Sequence, residues 1–370
     1  MKIAIDARYL EHNGGISEYI KGIVIYGSKH HELVCISSKS LNDLPENVEN
    51  IVLAKKYHWF FWEQIQLPFA LYKLKPDIYH APGNYGIPIM SSIPSVVTVQ
   101  DIIPLQITDY FVKSRMPFIS RLSYWLRMQV AFIFAQKIIV TNKSTIGELK
   151  LKFYLNLNKL KIIPLGISDF YVPITSKYTN TLLKKNHINR PYILNHGGLD
   201  RRKNIDKLIK AFAEIKKINN KEFRDILLVV TGENILLKNQ LIKLAIQFKI
   251  EKWVKFIGYL PDEDIIALVK SARLVIYISK IEGFGLPPLE AMACKVPVIA
   301  SDIPIIREHC KDIPIYVNPN KTSSVFYGLR EGLFNNRAKE TLERGEKISK
   351  EYSWGKTVKQ TFNLYSMLIQ

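Results

Sequence analysis

The residues from Leu274 to Met292 leave this chain few folds. LVIYIS (Leu274 to Ser279) is short, β-branched and aromatic, the composition of a strand buried on both faces. Pro288 suits the first turn of a helix that continues through Leu289, Glu290, Ala291 and Met292. Between them lie Gly283 and Gly285, where a backbone without Cβ can approach a ligand closely. Strand, glycine turn and helix N-terminus in succession point to a parallel sheet covered by helices. The N–H groups at such a terminus suit a phosphate. Glu282 in the turn and Glu290 in the first helical turn are acceptors for sugar hydroxyls, although Glu290 also complements the helix dipole with nothing bound.

The same alternation runs through the whole chain. Lys2-Ile-Ala-Ile-Asp6 reads as a buried strand, followed by Gly14-Gly15-Ile16-Ser17 and a helical segment from Glu18. That corner is not GxGxxG, so it does not support a dinucleotide fingerprint. Further strands are expected at Leu33 to Ser37, Asn50 to Leu53, Asp77 to His80, Ser95 to Val99 and Lys137 to Thr141. Others are expected at Pro191 to Asn195, Leu227 to Gly232 and Lys255 to Leu260. With 370 residues, 47% of them hydrophobic and 23% charged, there is material for two globular domains. We expect domains at 1–170 and 191–352, an irregular polar linker within 168–190 (171–190 between the domains proper), and a final helix at 353–370 crossing back to the first domain.

Composition narrows the function. No apolar run reaches bilayer-spanning length and the N-terminus lacks a signal-peptide layout, so a cytoplasmic protein is expected. Cys35, Cys294 and Cys310 are too far apart to suggest a disulfide framework or a metal site. The net charge of +19 divides into +6 over residues 1–170 and +13 over the rest, without a nucleic-acid-binding motif. Nucleic acid is therefore not expected as a partner, whereas anionic membrane surfaces or polyphosphorylated ligands stay open. Pro261-Asp262-Glu263-Asp264 reads as the capped start of a helix rather than a metal motif, and no metal or other cofactor is expected.

EGFGLPPLEAMA with PVIASD (Pro297 to Asp302), NHGGLDRRKN (Asn195 to Asn204) and the opening KIAIDAR with Gly-Gly-Ile resemble the retaining glycosyltransferases of family four, the group 1 enzymes, and among them bacterial surface-polysaccharide mannosyltransferases. The resemblance implies a GT-B fold: two Rossmann-like, doubly wound parallel-sheet domains facing across a cleft. It also implies a nucleotide-sugar donor, a glycan or lipid-linked saccharide acceptor, and possible work at the inner face of a membrane. On it, Glu290 holds the ribose, while Glu282 and the residues Gly283, Phe284, Gly285 and Leu286 hold the transferred sugar. Arg202 and Lys203 take the donor diphosphate beside Gly197 and Gly198, the latter where many relatives have Arg. Gly14, Gly15 and Ile16 form the loop facing donor phosphate and acceptor.

Besides Gly198, two places depart from a simple transfer of roles. Relatives commonly have His where this chain has Gln100, which cannot shuttle a proton; Asp101 beside it either meets the acceptor or makes an Asx turn before Pro104. Lys295 stands where relatives usually have glycine, implying either backbone strain or an ammonium near the donor. These departures motivate a second expectation, a non-catalytic sugar-nucleotide-binding protein. His80, at a strand end, is open to a structural or a functional role. The aromatic, basic stretch from Phe111 to Gln136, with Arg115, Arg121 and Arg127, reads as core packing with snorkelling arginines in preference to a membrane-surface helix.

Overall fold

The computed structural model describes residues 1–11, 14–53, 59–107, 110–112, 114, 116–167, 173–335 and 338–369, with backbone only at 221 and 222. Arg115 and residues 168–172 of the expected linker lie outside them. The chain forms two compact units, Met1–Gly166 with Tyr352–Gln370, and Ile167–Glu351.

In the first unit, seven strands form one parallel sheet: β1 (Lys2–Asp6), β2 (Glu32–Ser37), β3 (Val48–Val52), β4 (Ile78–Ala81), β5 (Ser95–Val99), β6 (Lys137–Val140) and β7 (Leu160–Ile162). Their order across the sheet is 3-2-1-4-5-6-7. Ile3, Ala4 and Ile5 of β1 and Val96 and Val97 of β5 are wholly buried, which explains why these strands are continuous apolar runs rather than alternating ones. The helix Trp354–Ile369 belongs to this unit, and Trp354 lies against the helix Gly15–Gly27. A Cβ at Gly22 would fall 2.3 Å from the Trp354 ring, so that position requires glycine.

The second unit repeats the plan with six parallel strands: β8 (Tyr192–Asn195), β9 (Leu227–Val230), β10 (Val254–Phe256), β11 (Leu274–Tyr277), β12 (Val298–Ser301) and β13 (Ile315–Val317). The order is β10-β9-β8-β11-β12-β13, the doubly wound arrangement. In each unit the chain winds outward from a central strand, then returns to that strand's other side. In the first unit the carboxyl ends of β1 and β4 therefore flank a switch point, and in the second unit those of β8 and β11 flank another, the position where such sheets take ligands.

One expectation fails. Part of the stretch read as irregular linker, Ser176–Lys185, is a helix of the second unit. Thr175 caps it by accepting from the Tyr178 N–H, and Tyr178 donates from its hydroxyl to Asp264 at 2.5 Å. Leu182 is its single buried residue, so the apolar periodicity that marks most helices is too thin here to read.

Candidate active site

Three charged side chains meet at the crevice between β8 and β11. Asp200 accepts from the Arg202 N–H at 2.8 Å and starts a short 3-10 turn, Arg201–Lys203. This turn directs Arg202 and Lys203 towards the exit of β11, where the Lys280 N–H donates to the Arg202 carbonyl at 2.8 Å. Lys203 Nζ then donates to Glu282 Oε1 at 2.8 Å, and Arg202 Nη1 lies 2.6 Å from Glu282 Oε2. Arg201 stays exposed, but Lys203 is buried, so this is no solvated basic turn.

Burial alone would raise the Glu282 pKa, but Lys203 and Arg202 outweigh it and pull it down to about 2. Burial lowers the Lys203 pKa, against the opposing pull of Glu282. The cluster thus carries one net positive charge at the crevice, in a setting where charges interact strongly. Tyr277, the last residue of β11, accepts from Lys203 Nζ, which also lies 4.6 Å from the centre of its ring.

Gly285, Gly197 and Gly198 all sit at positive φ. Gly285 has φ +85°, and a Cβ there would fall 2.2 Å from Ile306 Cδ1. It precedes the helix Leu286–Ala293, in whose first turn Pro287 is tolerated because that N–H has no intrahelical partner. Gly197 has φ +108°, and a Cβ there would press on Pro287 and Tyr277 at 3.1 Å and lie 3.6 Å from Lys203 Nζ. Gly198 also has positive φ, and the Gly232 backbone packs against it. Phe284 is buried with its ring 4.0 Å from that of His309, whose Nδ1 is 3.0 Å from the Phe284 carbonyl. Glu290 lies in the helix, its Oε2 3.6 Å from His196 Nδ1.

In the first unit, Gly14 precedes the helix Gly15–Gly27 with φ +144°. A Cβ at Gly15 would sit 3.1 Å from Gln100 Oε1, so the glycine corner and Gln100 are neighbours, with Ile16 half-buried beside them. The Gln100 N–H donates to Asn84 Oδ1 at 2.9 Å, while its buried Nε2 has no hydrogen-bond partner among the described residues. Asp101 Oδ1 accepts from the Ile103 N–H at 3.0 Å, which is the Asx turn. His80 is structural: Nε2 is 2.7 Å from Thr98 Oγ1, and Nδ1 is 2.6 Å from the Tyr365 hydroxyl. Burial pushes its pKa down to about 3, so the ring is neutral.

Lys295 resolves in favour of strain: its φ is +57°, and its ammonium lies 3.0 Å from Glu346. Sequence reasoning missed His196, which is buried, carries a pKa lowered to about 3 by burial and then by Lys203, and has an unpartnered Nε2 among the described residues. Its place directly before Gly197 was the available signal. Also missed was a buried ionic cluster in the first unit, where Arg8 Nη2 lies 2.6 Å from Asp6 and 3.0 Å from Glu63, which also pairs with Arg127. Glu63 sits 64 residues from Arg127, a separation at which no sequence pattern links them.

Residues 180–323 match the family Glycosyl transferases group 1. O-antigen chain mannosyltransferase B of Escherichia coli is 28% identical over 302 residues, covering 81% of this chain and 77% of that protein. O-antigen chain mannosyltransferase RfbU of Salmonella typhimurium is 27% identical over 268 residues, covering 72% and 67%. Among solved structures, HepE of Anabaena in complex with UDP-glucose superposes with a TM-score of 0.79 at 15% identity, over 100% of both chains. The chain has the GT-B fold, and its residues 180–323 match the group 1 glycosyl transferase family.

Proposed function

We propose that this enzyme transfers a hexose, mannose in first place, from a nucleotide-sugar donor to a glycan or lipid-linked acceptor in surface-polysaccharide assembly, with retention of configuration and without a metal. The observation that carries the reading is the Glu282 carboxylate held ionised between Lys203 and Arg202 at the crevice of β8 and β11. The mannose preference is supported by the two O-antigen mannosyltransferase relatives.

In this mechanism the bond between C1 of the sugar and the diphosphate breaks with its electron pair moving to phosphate. Arg202 and Lys203 stabilise the charge that develops there, the task a metal performs in other enzymes. The Leu286 and Leu289 N–H groups, the first-turn amides on either side of Pro287 and Pro288, add their dipole. Glu290 accepts from the ribose hydroxyls, with His196 packed behind it. Glu282 and the backbone from Gly283 to Leu286 hold the hexose. The acceptor oxygen bonds C1 from the face that the leaving group vacates, and its proton passes to a phosphate oxygen.

The test is turnover of GDP-mannose with a bacterial lipid-linked acceptor extract in the presence of a chelator, reading the anomeric configuration by proton NMR. An α-linked product formed equally with and without chelator is expected. An inverted product, or dependence on an added divalent ion, overturns the mechanism; binding of every donor tried with no turnover converts the reading to a non-catalytic sugar-nucleotide-binding protein.

A further inference from the structure

Helix Pro117–Phe134 is amphipathic the wrong way round for a helix facing water. It buries Met128, Ala131 and Phe132 against the first unit. Its arginines also turn from solvent, Arg121 donating to the Leu105 carbonyl at 2.7 Å and Arg127 pairing with the buried Glu63. Apart from Phe134 at the helix's last position, its exposed large apolar residues are Phe118, Ile119, Leu122, Leu126 and Ile133, with Phe118 78% accessible. At about 100° per residue these five fall within an arc of about 100°, so they form one stripe. The reading of this stretch as core packing is corrected: only one side of the helix packs.

The stripe continues onto the neighbouring segment 149–161. Trp125 Nε1 donates to the Lys152 carbonyl at 2.9 Å, and Gln129 bonds both the N–H and the carbonyl of Tyr154. Beside these anchors Leu151 and Tyr154 are 86% and 83% accessible. A patch of this kind on a monomer marks an interaction surface.

Its charge decides the partner. From Tyr110 to Lys161 the chain carries ten Lys and Arg and a single acid, Glu148. A second copy docking here would set like charge against like charge. Apolar side chains in one stripe, tyrosine at the margin and lysines alongside match a bilayer interface with anionic headgroups. Among the described residues no helix is long and apolar enough to cross a membrane, so this face would lie on the surface.

We propose that the outward face of Pro117–Phe134, extended by Leu151 and Tyr154 and flanked by Lys150 and Lys152, docks the first unit on an anionic lipid bilayer. The use of such docking rests on the glycosyltransferase reading, since it would bring a lipid-linked acceptor to the enzyme. The docking itself does not.

The experiment is co-sedimentation of the full chain with vesicles of phosphatidylcholine, with and without phosphatidylglycerol. Binding is expected to the phosphatidylglycerol vesicles and to fall as salt rises from about 0.1 M to about 0.5 M. Leu122→Asp/Leu126→Asp should lower the partition coefficient on the order of 100-fold. Lys150→Glu/Lys152→Glu, at exposed positions, should lower it at least about tenfold. Both variants should keep the thermal shift given by a nucleotide sugar, which shows that they fold and separates this test from that of donor binding. No vesicle binding, equal binding to both vesicle types, or unchanged binding by the variants overturns the proposal. So does a dimer in sedimentation velocity that Leu122→Asp/Leu126→Asp abolishes, because a second copy would then own the face.

Discussion

Replacing Glu282 by Gln keeps the shape of the side chain and removes one charge from a buried cluster of three. The carboxylate lies 2.8 Å from Lys203 and 2.6 Å from Arg202. Lys203 and Glu282 are each 7% exposed and Arg202 23%. Taking one partner from a buried ion pair costs about 3–5 kcal/mol, because the charges left behind stay out of water. The partial exposure of Arg202, and the hydrogen bond a glutamine oxygen retains, set the expectation near the lower end, about 3 kcal/mol. In a unit of this size that is a fall in Tm of about 6–12 °C. The pH dependence has a definite sign. The folded-state pKa of Glu282 is lowered from 4.5 to about 2, so its contribution is complete above about pH 4.5 and is lost as pH falls towards 2. The deficit of Glu282→Gln should therefore be constant at neutral pH and shrink on acidification below 4.5. Inorganic pyrophosphate should raise the Tm of the variant more than that of the wild type, since two cations are released to bind it. Calorimetric melts from pH 7 to pH 3, with and without pyrophosphate, make the test. A variant melting within about 1 °C of wild type at pH 7, or a deficit that grows on acidification, refutes the reasoning.

Other consequences are smaller but equally specific. His80 is held neutral with a pKa near 3 against 6.5 unfolded, so its stabilisation is complete above 6.5 and is lost as pH falls towards 3, by up to about 1.4 kcal/mol per pH unit. In urea titrations between pH 7 and 4, His80→Gln should be less stable than wild type at pH 7 yet show a shallower acid loss; an unchanged slope would contradict the assignment. Gly285→Ala combines a left-handed φ with a 2.2 Å approach to Ile306, for a loss of about 2 kcal/mol. The double variant with Ile306→Ala should relieve the steric part of that loss, and finding no coupling between the two sites would count against it. Lys295→Gly removes strain at φ +57° and forfeits only a half-exposed pairing with Glu346, so chemical denaturation should show a gain of about 0.5–1 kcal/mol. No gain would mean that the turn is relaxed.

The fold was legible where burial on both faces wrote continuous apolar runs, as in Lys2–Asp6 and Leu274–Tyr277. It was illegible where an element carries little apolar weight. Ser176–Lys185 buries one leucine, and β13 (Ile315–Val317) has three residues. The site divides in the same way. Glycine turns with acids and cations at fixed spacing announced Glu282, Arg202 and Lys203 as polar groups at strand exits. That they pair with one another follows only from β8 and β11 being neighbours, which places Lys203 beside a carboxylate 79 residues further on. Tyr277 and His196 were hidden because an aromatic at the end of an apolar run and a histidine before a glycine have ordinary structural roles. The 117–134 helix was misjudged because aromatic content predicts burial on average, whereas which arc of a helix is buried depends on its neighbours.

The central claim is that the crevice between β8 and β11 binds the donor diphosphate through Lys203 and Arg202. The most direct measurement is calorimetric titration of GDP-mannose into the wild type and into Lys203→Met, with a melt of each to show that the variant folds. The dissociation constant should rise at least about tenfold in the variant, the loss of one charge-assisted hydrogen bond to phosphate. Equal affinity of the folded variant and the wild type would contradict it.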